Sequence, residues 1–192
     1  MNVKEIKINH ILEQGFELFS KEGIDNVTMN NIADKAEIGV ASLYRYFSTK
    51  EELAIQCATK MWQKEKEKAI DIFTSEKYLE KTGKDQLEEI LNYFETSFDT
   101  TQDFYRFIYY FDSYIKRQNI ESSNLQNYEN TIEEITQIAF QAIEKGFSDG
   151  SISYPNENIQ TLTLTVMHSF FSLAQSKSRR TPSPPSSGDN SP

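Results

Sequence analysis

Residues 28–50 read TMNNIADKAEIGVASLYRYFSTK, a pattern that predicts two short helices joined by a tight turn. Thr28 is a suitable N-cap for the first helix. The second helix, predicted over 40–47, is anchored by Leu43 and Phe47, which lie one turn apart. Its other side chains remain exposed, which suits insertion into the major groove of DNA.

Helices also precede and follow this pair. Apolar residues at three-to-four-residue spacing predict a helix over 3–21. Two overlapping capping boxes, Ser48–Glu51 and Thr49–Glu52, start a later helix that extends to about Thr74. Residues 1–50 are therefore predicted to form a three-helix DNA-binding domain with a helix-turn-helix.

This arrangement resembles the tetracycline-repressor (TetR) family of bacterial regulators over about residues 8–55. The matching positions are Gly15, Phe16, Leu18, Phe19, Gly23, Thr28, Ile32, Ala33, Ala36, Ile38, Ser42, Leu43, Tyr44, Arg45, Tyr46, Phe47, Lys50, Glu51, Glu52 and Leu53. The resemblance implies a homodimeric transcriptional regulator, most often a repressor, that binds double-stranded operator DNA and responds to a small-molecule effector.

The resemblance also implies DNA contacts, position by position. The side chains implied at the phosphate backbone are Thr28, Asn30 and Lys50. Those implied near base edges are Val40, Ala41 and Ser42. Tyr44 is implied at a phosphate or a base, with Arg45 and Tyr46 on either side.

The turn departs from the family's usual Ala-Gly-Val-Ser, because residues 36–39 read Ala-Glu-Ile-Gly. Glu37 then has to take a turn conformation that glycine takes more easily. Gly39 supplies no side-chain oxygen as an N-cap, so a DNA contact through a serine or threonine hydroxyl at that position is not expected.

The chain is acidic, with a formal net charge of −9 over 192 residues. Residues 1–50 carry six Lys/Arg and seven Asp/Glu, so the remaining residues hold nearly all of the net negative charge. Bulk attraction to phosphate is therefore expected to be weak, and DNA binding would depend on a local surface. This balance leaves an alternative open: a helical small-molecule-binding protein with a DNA-incompetent helix-turn-helix.

The rest of the chain also has a helical pattern, and the expected fold is all-α. Residues 51–175 are predicted to form an effector-binding and dimerisation domain, with helices over 84–99, 102–117, 124–147 and 157–174. Residues 176–192 hold four of the five prolines and no aliphatic residue, so we expect a disordered tail. If the natural chain continued the last helix in place of this segment, part of the dimer interface would be missing and dimerisation would be weak.

Large aromatic residues crowd residues 90–115, and a packed helical core is the simplest interpretation. Their number also suggests a tyrosine-lined pocket for an apolar or aromatic effector. The candidate pocket residues are Trp62, Phe94, Phe98, Phe107, Tyr110, Phe111 and Tyr114.

In this family the last two helices are implied to pack against their symmetry mates. The candidates for that interface are Ile132, Ile135, Ala139, Ala142, Ile143, Leu162, Val166, Ser169, Phe170 and Leu173. A two-fold dimer predicts a palindromic operator. Effector binding would then move the helix that begins at Ser48, which changes the spacing of the two reading helices.

Other function classes find little support in the sequence. It holds no phosphate loop, nucleotide-binding glycine triplet or nucleophile–base motif, so an enzyme is not expected, nor is a cofactor. Cys57 is expected in the core, His168 in a buried site and His10 on the surface, a set too small for a usual zinc site. No apolar run is long enough to cross a bilayer, and a cytoplasmic location is expected.

Overall fold

The computed structural model describes residues 2–153 and 159–180, with only the backbone at 99, 159, 160, 162–164, 166, 167, 170, 179 and 180. The helices in these ranges are α1 (Val3–Glu22), α2 (Met29–Lys35), α3 (Val40–Tyr44), α4 (Lys50–Phe73), α5 (Glu76–Leu79), α6 (Gly83–Gln118), α7 (Gln126–Ser148) and α8 (Ile159–Arg180). Short 3-10 turns lie at Ile24–Asn26 and Ser122–Asn124. The predicted all-α fold is confirmed.

Side chains cap the N-termini of the helices that precede and follow α3. The Thr28 hydroxyl accepts the backbone N–H of Asn31 at 3.2 Å, and the Asn31 side chain accepts the N–H of Thr28 at 2.8 Å. At the start of α4, Thr49 is the N-cap and its hydroxyl accepts the N–H of Glu52 at 3.1 Å. Helix α3 is shorter than predicted because helical bonding ends at Tyr44 and a turn follows, yet the Phe47 N–H still reaches the Leu43 carbonyl at 3.0 Å.

Residues 83–118 form one long helix, where the sequence pattern predicted two helices that end and begin near residue 100. The polar pair Thr100–Thr101, which lies between the two predicted helices, is part of the continuous helix. The Thr100 and Thr101 hydroxyls both donate back to the Ser97 carbonyl, at 2.8 and 2.9 Å. No glycine or proline interrupts this segment. Helix α6 therefore runs unbroken along the C-terminal region, and the short helix α5 before it was not predicted.

Helix α8 continues to Arg180, so the prediction that disorder begins at residue 176 is wrong for 176–180. The first proline of the polar segment comes only at residue 182. Ser178 is buried, and its carbonyl accepts a hydrogen bond from the buried Arg106 guanidinium at 3.4 Å. This tertiary contact holds a polar segment in helical form. The remainder of the predicted tail, 181–192, lies outside the described residues.

The long helix α6 is central to the packing, because it contacts α1, α4, α7 and α8. Four residues expected at a dimer interface lie instead in the interior of the protomer: Ile135, Ala139, Ala142 and Ile143. They are buried because α7 packs against α4 and α6. Ser169 and Leu173 on α8 are exposed, and Ile132 is partly buried. The side chains of Leu162, Val166 and Phe170 lie outside the described residues.

Two of the three sequence predictions for His and Cys residues are confirmed. Cys57 is fully buried and His10 is exposed, whereas His168 is exposed and the prediction of a buried site is wrong. Burial raises the pKa of the Cys57 thiol, which keeps it protonated. In the part of the chain that is described, no helix combines the length and apolarity needed to cross a membrane.

Candidate DNA-reading surface and effector cavity

The second helix of the helix-turn-helix, α3, is exposed on one side and anchored on the other. Leu43 is completely buried and Phe47 is 1% exposed, whereas the Val40 and Tyr44 side chains are 39% and 51% exposed. A five-residue helix that leaves large apolar side chains in solvent gains little from burial. Its outward side is therefore available for another molecule.

The turn before α3 fixes the direction of that helix. Glu37 has φ of +54°, the left-handed conformation that the sequence predicted. Its N–H donates to the Asp34 carbonyl at 3.1 Å, and the Ile38 N–H donates to the Ala33 carbonyl at 3.0 Å. These two bonds form a Schellman motif, which ends α2 and redirects the chain into α3.

The remaining predicted contact residues surround this helix on the same domain. Exposed positions are Thr28, Asn30, Ala41 and Arg45, and half-buried positions are Ser42 and Tyr46. The Arg45 guanidinium donates to the Ser42 hydroxyl at 3.0 Å, so the two polar side chains share one face. Ala41 and Ser42 thus lie on α3 and Arg45 and Tyr46 directly after it, whereas Thr28 and Asn30 begin α2, which packs against α3.

Lys50 stabilises the fold in addition to its predicted contact with a DNA phosphate. Its ammonium donates to the carbonyls of Ile24, at 2.8 Å, and Val27, at 3.1 Å, and lies 5.6 Å from the centre of the Tyr114 ring. It therefore ties the start of α4 to the segment that precedes α2. An ammonium has three donors, so one of them remains for another acceptor.

A cavity of about 620 Å³ lies among α4, α6, α7 and α8. It is lined by Trp62, Phe94, Ile108, Asp112, Tyr128, Glu129, Ile132, Glu133, Ile135, Thr136, His168, Phe171, Ser172 and Gln175. A second, much smaller void of about 30 Å³ shares Trp62 and Phe94 with it. A largely apolar wall with a few polar groups is typical of small-molecule sites.

The sequence comparisons converge on the N-terminal domain. The family profile described as "Bacterial regulatory proteins, tetR family" matches residues 11–57. A 52-residue stretch is 42% identical to an HTH-type transcriptional regulator of Staphylococcus aureus, over 26% of this chain and 28% of that relative. The match to the tetR family is confined to this domain, and the chain spans only about a quarter of the length of the relatives that it matches. The matched family and relatives are regulators and not enzymes, as the sequence predicts.

Solved structures resemble nearly the whole chain in fold. The regulator FadR from Bacillus subtilis, solved in complex with stearoyl-CoA, has a TM-score of 0.70 at 13% identity and covers 91% of this chain and 90% of its own. A tetR-family regulatory protein from Rhodococcus RHA1 has a TM-score of 0.68 at 18% identity, over 95% and 88% of the two chains. At such identities the likeness shows a shared fold.

Only two of the seven candidate pocket residues, Trp62 and Phe94, line the cavity. The structure places the other five elsewhere. Phe107, Phe111 and Tyr114 are at most 2% exposed and face the DNA-binding domain and the helices next to it. Tyr110 packs near Gly23, and Phe98 stacks on Tyr105 at 5.8 Å. Helical spacing predicts which residues share a helix face, but it does not predict which face lines the cavity.

Phe107, Tyr110 and Tyr114 join α6 to the DNA-binding domain at a junction. The Phe107 ring lies edge-on to Phe16 at 5.4 Å and stacked with Phe19 at 6.2 Å. The Tyr114 hydroxyl donates to Glu51 at 2.6 Å, and this bond is the main reason that the pKa of the Glu51 carboxyl is lowered. Arg117 forms an ion pair with Asp25 close by. Helix α6 is therefore attached to the DNA-binding domain by apolar and polar contacts.

The polar residues that line the cavity were not predicted from the sequence. The Asp112 carboxylate accepts the Tyr128 hydroxyl at 3.3 Å and the Gln175 amide at 3.2 Å. Asp112 is solvent-exposed, yet surrounding protein atoms raise the pKa of its carboxyl through partial desolvation. One signal was available: Asp112 is an acidic residue within the aromatic run of 104–114.

Proposed function

We propose that this chain is a homodimeric transcriptional regulator whose affinity for a palindromic operator is set by a small apolar or aromatic molecule in the α4–α6–α7–α8 cavity. The observation that carries the proposal is helix α3, which is anchored by Leu43 and Phe47 and otherwise exposed. The tetR-family match of the same domain supports it. Release of a repressor on effector binding is the form that we expect.

The DNA contacts are proposed residue by residue. Val40, Ala41 and Ser42 approach base edges, because they begin the exposed helix. Tyr44, Arg45 and Tyr46 follow on its outward side and contact a base or phosphates. Thr28, Asn30 and the third ammonium donor of Lys50 contact the phosphate backbone on either side.

Binding to DNA from immediately upstream of the gene tests this proposal, by fluorescence anisotropy over a series of salt concentrations. We expect specific binding at moderate salt, with Tyr44→Ala weakening the operator more than unrelated DNA. Tyr44→Phe is the matched control, because it keeps the ring and removes only the hydroxyl. A Tyr44→Ala protein that binds both DNAs as the wild type does would contradict the role of α3.

The second candidate function, ligand binding without DNA recognition, has its own supporting observation. Glu37 and Asp34 are exposed at the turn beside the reading helix, where they would repel phosphates. A folded protein with no specific or general DNA binding at any salt concentration would favour this second candidate.

Dimerisation is proposed through α7 and α8. Leu173 is 69% exposed, and Ser169 lies exposed one turn before it on α8. A large exposed apolar side chain on a C-terminal helix suits a two-fold interface. Light scattering after size exclusion tests this. Leu173→Glu should shift the protein towards the monomer, whereas Asp71→Asn, on an exposed position of α4 outside the proposed interface, should not.

The signal from the effector is proposed to pass through α6 as well as α4. Ile108 and Asp112 of α6 line the cavity, while Phe107 and Tyr114 of the same helix contact the DNA-binding domain. A ligand that displaces α6 thus displaces the junction. Operator affinity should change by a coupling free energy on the order of 1–3 kcal/mol.

A further inference from the structure

The charges around the effector cavity are one-sided. Three acidic residues line it, Asp112, Glu129 and Glu133, and among its described lining residues there is no lysine or arginine. His168 is the single basic type in that lining. The potential inside a concave site lined by one sign of charge is focused, so this cavity attracts positive charge and repels negative charge.

The Asp112 carboxylate has only neutral donors among the described residues. Tyr128 and Gln175 supply them at 3.3 and 3.2 Å, which is longer than the usual hydrogen bond to an ionised group. Although Asp112 is solvent-exposed, partial desolvation raises the pKa of its carboxyl, and no cation among the described residues offsets this effect. A positively charged ligand group would supply the missing partner.

Aromatic rings form the other part of the wall. Trp62 and Phe171 are stacked with centres 5.1 Å apart, and Phe94 and Tyr128 line the same space. Ring faces attract cations as well as apolar groups. The cavity is thus suited to a molecule with an apolar or aromatic body and one positive charge.

We propose that the cavity selects a lipophilic organic cation, with its charge at Asp112 and its apolar body against Trp62 and Phe94. The inference rests on the proposed function, since it names the chemical class of the effector. The Bacillus subtilis neighbour was solved with stearoyl-CoA, a phosphate-bearing anion. The carboxylates in the described lining of this chain disfavour such a headgroup.

A pair of ions of nearly equal size and opposite charge tests the proposal on the full chain. Tetraphenylphosphonium and tetraphenylborate are titrated by calorimetry, and quenching of Trp62, the one tryptophan of the chain, reports binding beside it. The variants are Asp112→Asn and a control, Asp71→Asn, which removes the same charge from an exposed position of α4 outside the lining. Thermal unfolding of each variant confirms that it is folded.

The expected result is binding of the phosphonium with Trp62 quenching, no comparable binding of the borate, and at least about tenfold weaker phosphonium binding by Asp112→Asn. Asp71→Asn should bind as the wild type does. Equal binding of both ions, preference for the borate, an unchanged Asp112→Asn or no binding at all would each overturn cation selection. None of these results changes the operator-binding test with Tyr44→Ala, so the two proposals fail separately.

Discussion

The DNA-binding domain and the C-terminal helices differ in how completely their interiors are filled. In the first, Ile32, Leu43 and Phe47 are at most 1% exposed and pack against one another and α1. In the second, the helices surround a cavity of about 620 Å³. Close-packed interiors deform little, so the domain around α3 should move as a body. The unfilled region is where a ligand can change the arrangement of helices.

Helix α6 belongs to both regions, and two adjacent residues show the change from one to the other. Phe111 is fully buried in the junction, with its ring 5.0 Å from Tyr128, whereas Asp112 opens into the cavity. A displacement of α6 at Asp112 therefore also displaces Phe111, the adjacent residue in the junction. Mutations in the filled junction should therefore lower the free energy of unfolding more than mutations at the cavity wall.

The largest effect is expected from Phe107→Ala in the filled junction. Phe107 is fully buried between Phe16, Phe19 and Phe111, so its loss should lower the free energy of unfolding by about 3–5 kcal/mol. Phe94→Ala, at the half-buried cavity wall, should lower it by less than half as much, because fewer protein atoms surround that ring.

Urea unfolding followed by circular dichroism measures both changes, and Phe107→Leu controls for volume with an expected loss below about 1.5 kcal/mol. Equal losses for Phe107→Ala and Phe94→Ala would show that the two regions are packed alike, and the contrast between them would then be abandoned.

Tyr114→Phe tests the polar part of the junction. It removes the hydrogen bond to Glu51 and should lower the free energy of unfolding by about 1 kcal/mol near neutral pH, a value reduced for the partial exposure of Glu51. Because this bond lowers the folded-state pKa of Glu51, its contribution is present above the ordinary value of 4.5 and is lost as pH falls through the folded-state pKa.

Unfolding of the wild type and Tyr114→Phe should therefore differ near about pH 7 and converge near about pH 3. Tyr46→Phe is the control, because its hydroxyl makes no hydrogen bond to the described residues, and its effect should not depend on pH. A Tyr114→Phe effect that is the same at both pH values would show that the Glu51 carboxylate is not the partner that matters.

The helix-turn-helix could be predicted because its signals are local. Thr28 and Thr49 cap the helices that follow them, and the replacement of the usual glycine by Glu37 predicted the left-handed turn. Such signals depend on neighbours three or four residues away, which the sequence displays directly.

The cavity could not be predicted in the same way. Asp112, Tyr128 and Gln175 come from three helices, and only tertiary packing brings them together. Helical spacing showed that Phe107 and Phe111 share a face, but that face meets α1 and Tyr128 of α7 instead of a ligand. The same limit applies to Ser178, where a contact with Arg106 extends a helix into a polar segment.

A mutation of Glu37, in the turn before α3, should have a smaller effect on stability and one of opposite sign. Glu37→Gly should raise the free energy of unfolding by about 1 kcal/mol, because φ of +54° is strained for any residue with a Cβ. Glu37→Ala is the control, since it removes the same charge and keeps the strain. Equal stabilisation by both variants would assign the effect to charge. Thermal and urea unfolding measure the difference.

The smallest effect on stability is expected at Gly39, where a side chain can be added without a clash. Gly39 is the N-cap of α3 with extended backbone and no side-chain hydrogen bond, and an added Cβ would meet nothing within 4 Å. Gly39→Ser supplies a cap oxygen and should raise the free energy of unfolding by a few tenths of a kcal/mol, whereas Gly39→Ala should lower it. Urea unfolding distinguishes the two signs. Stabilisation by both variants would show that backbone entropy, and not the missing cap, limits the stability of the reading helix.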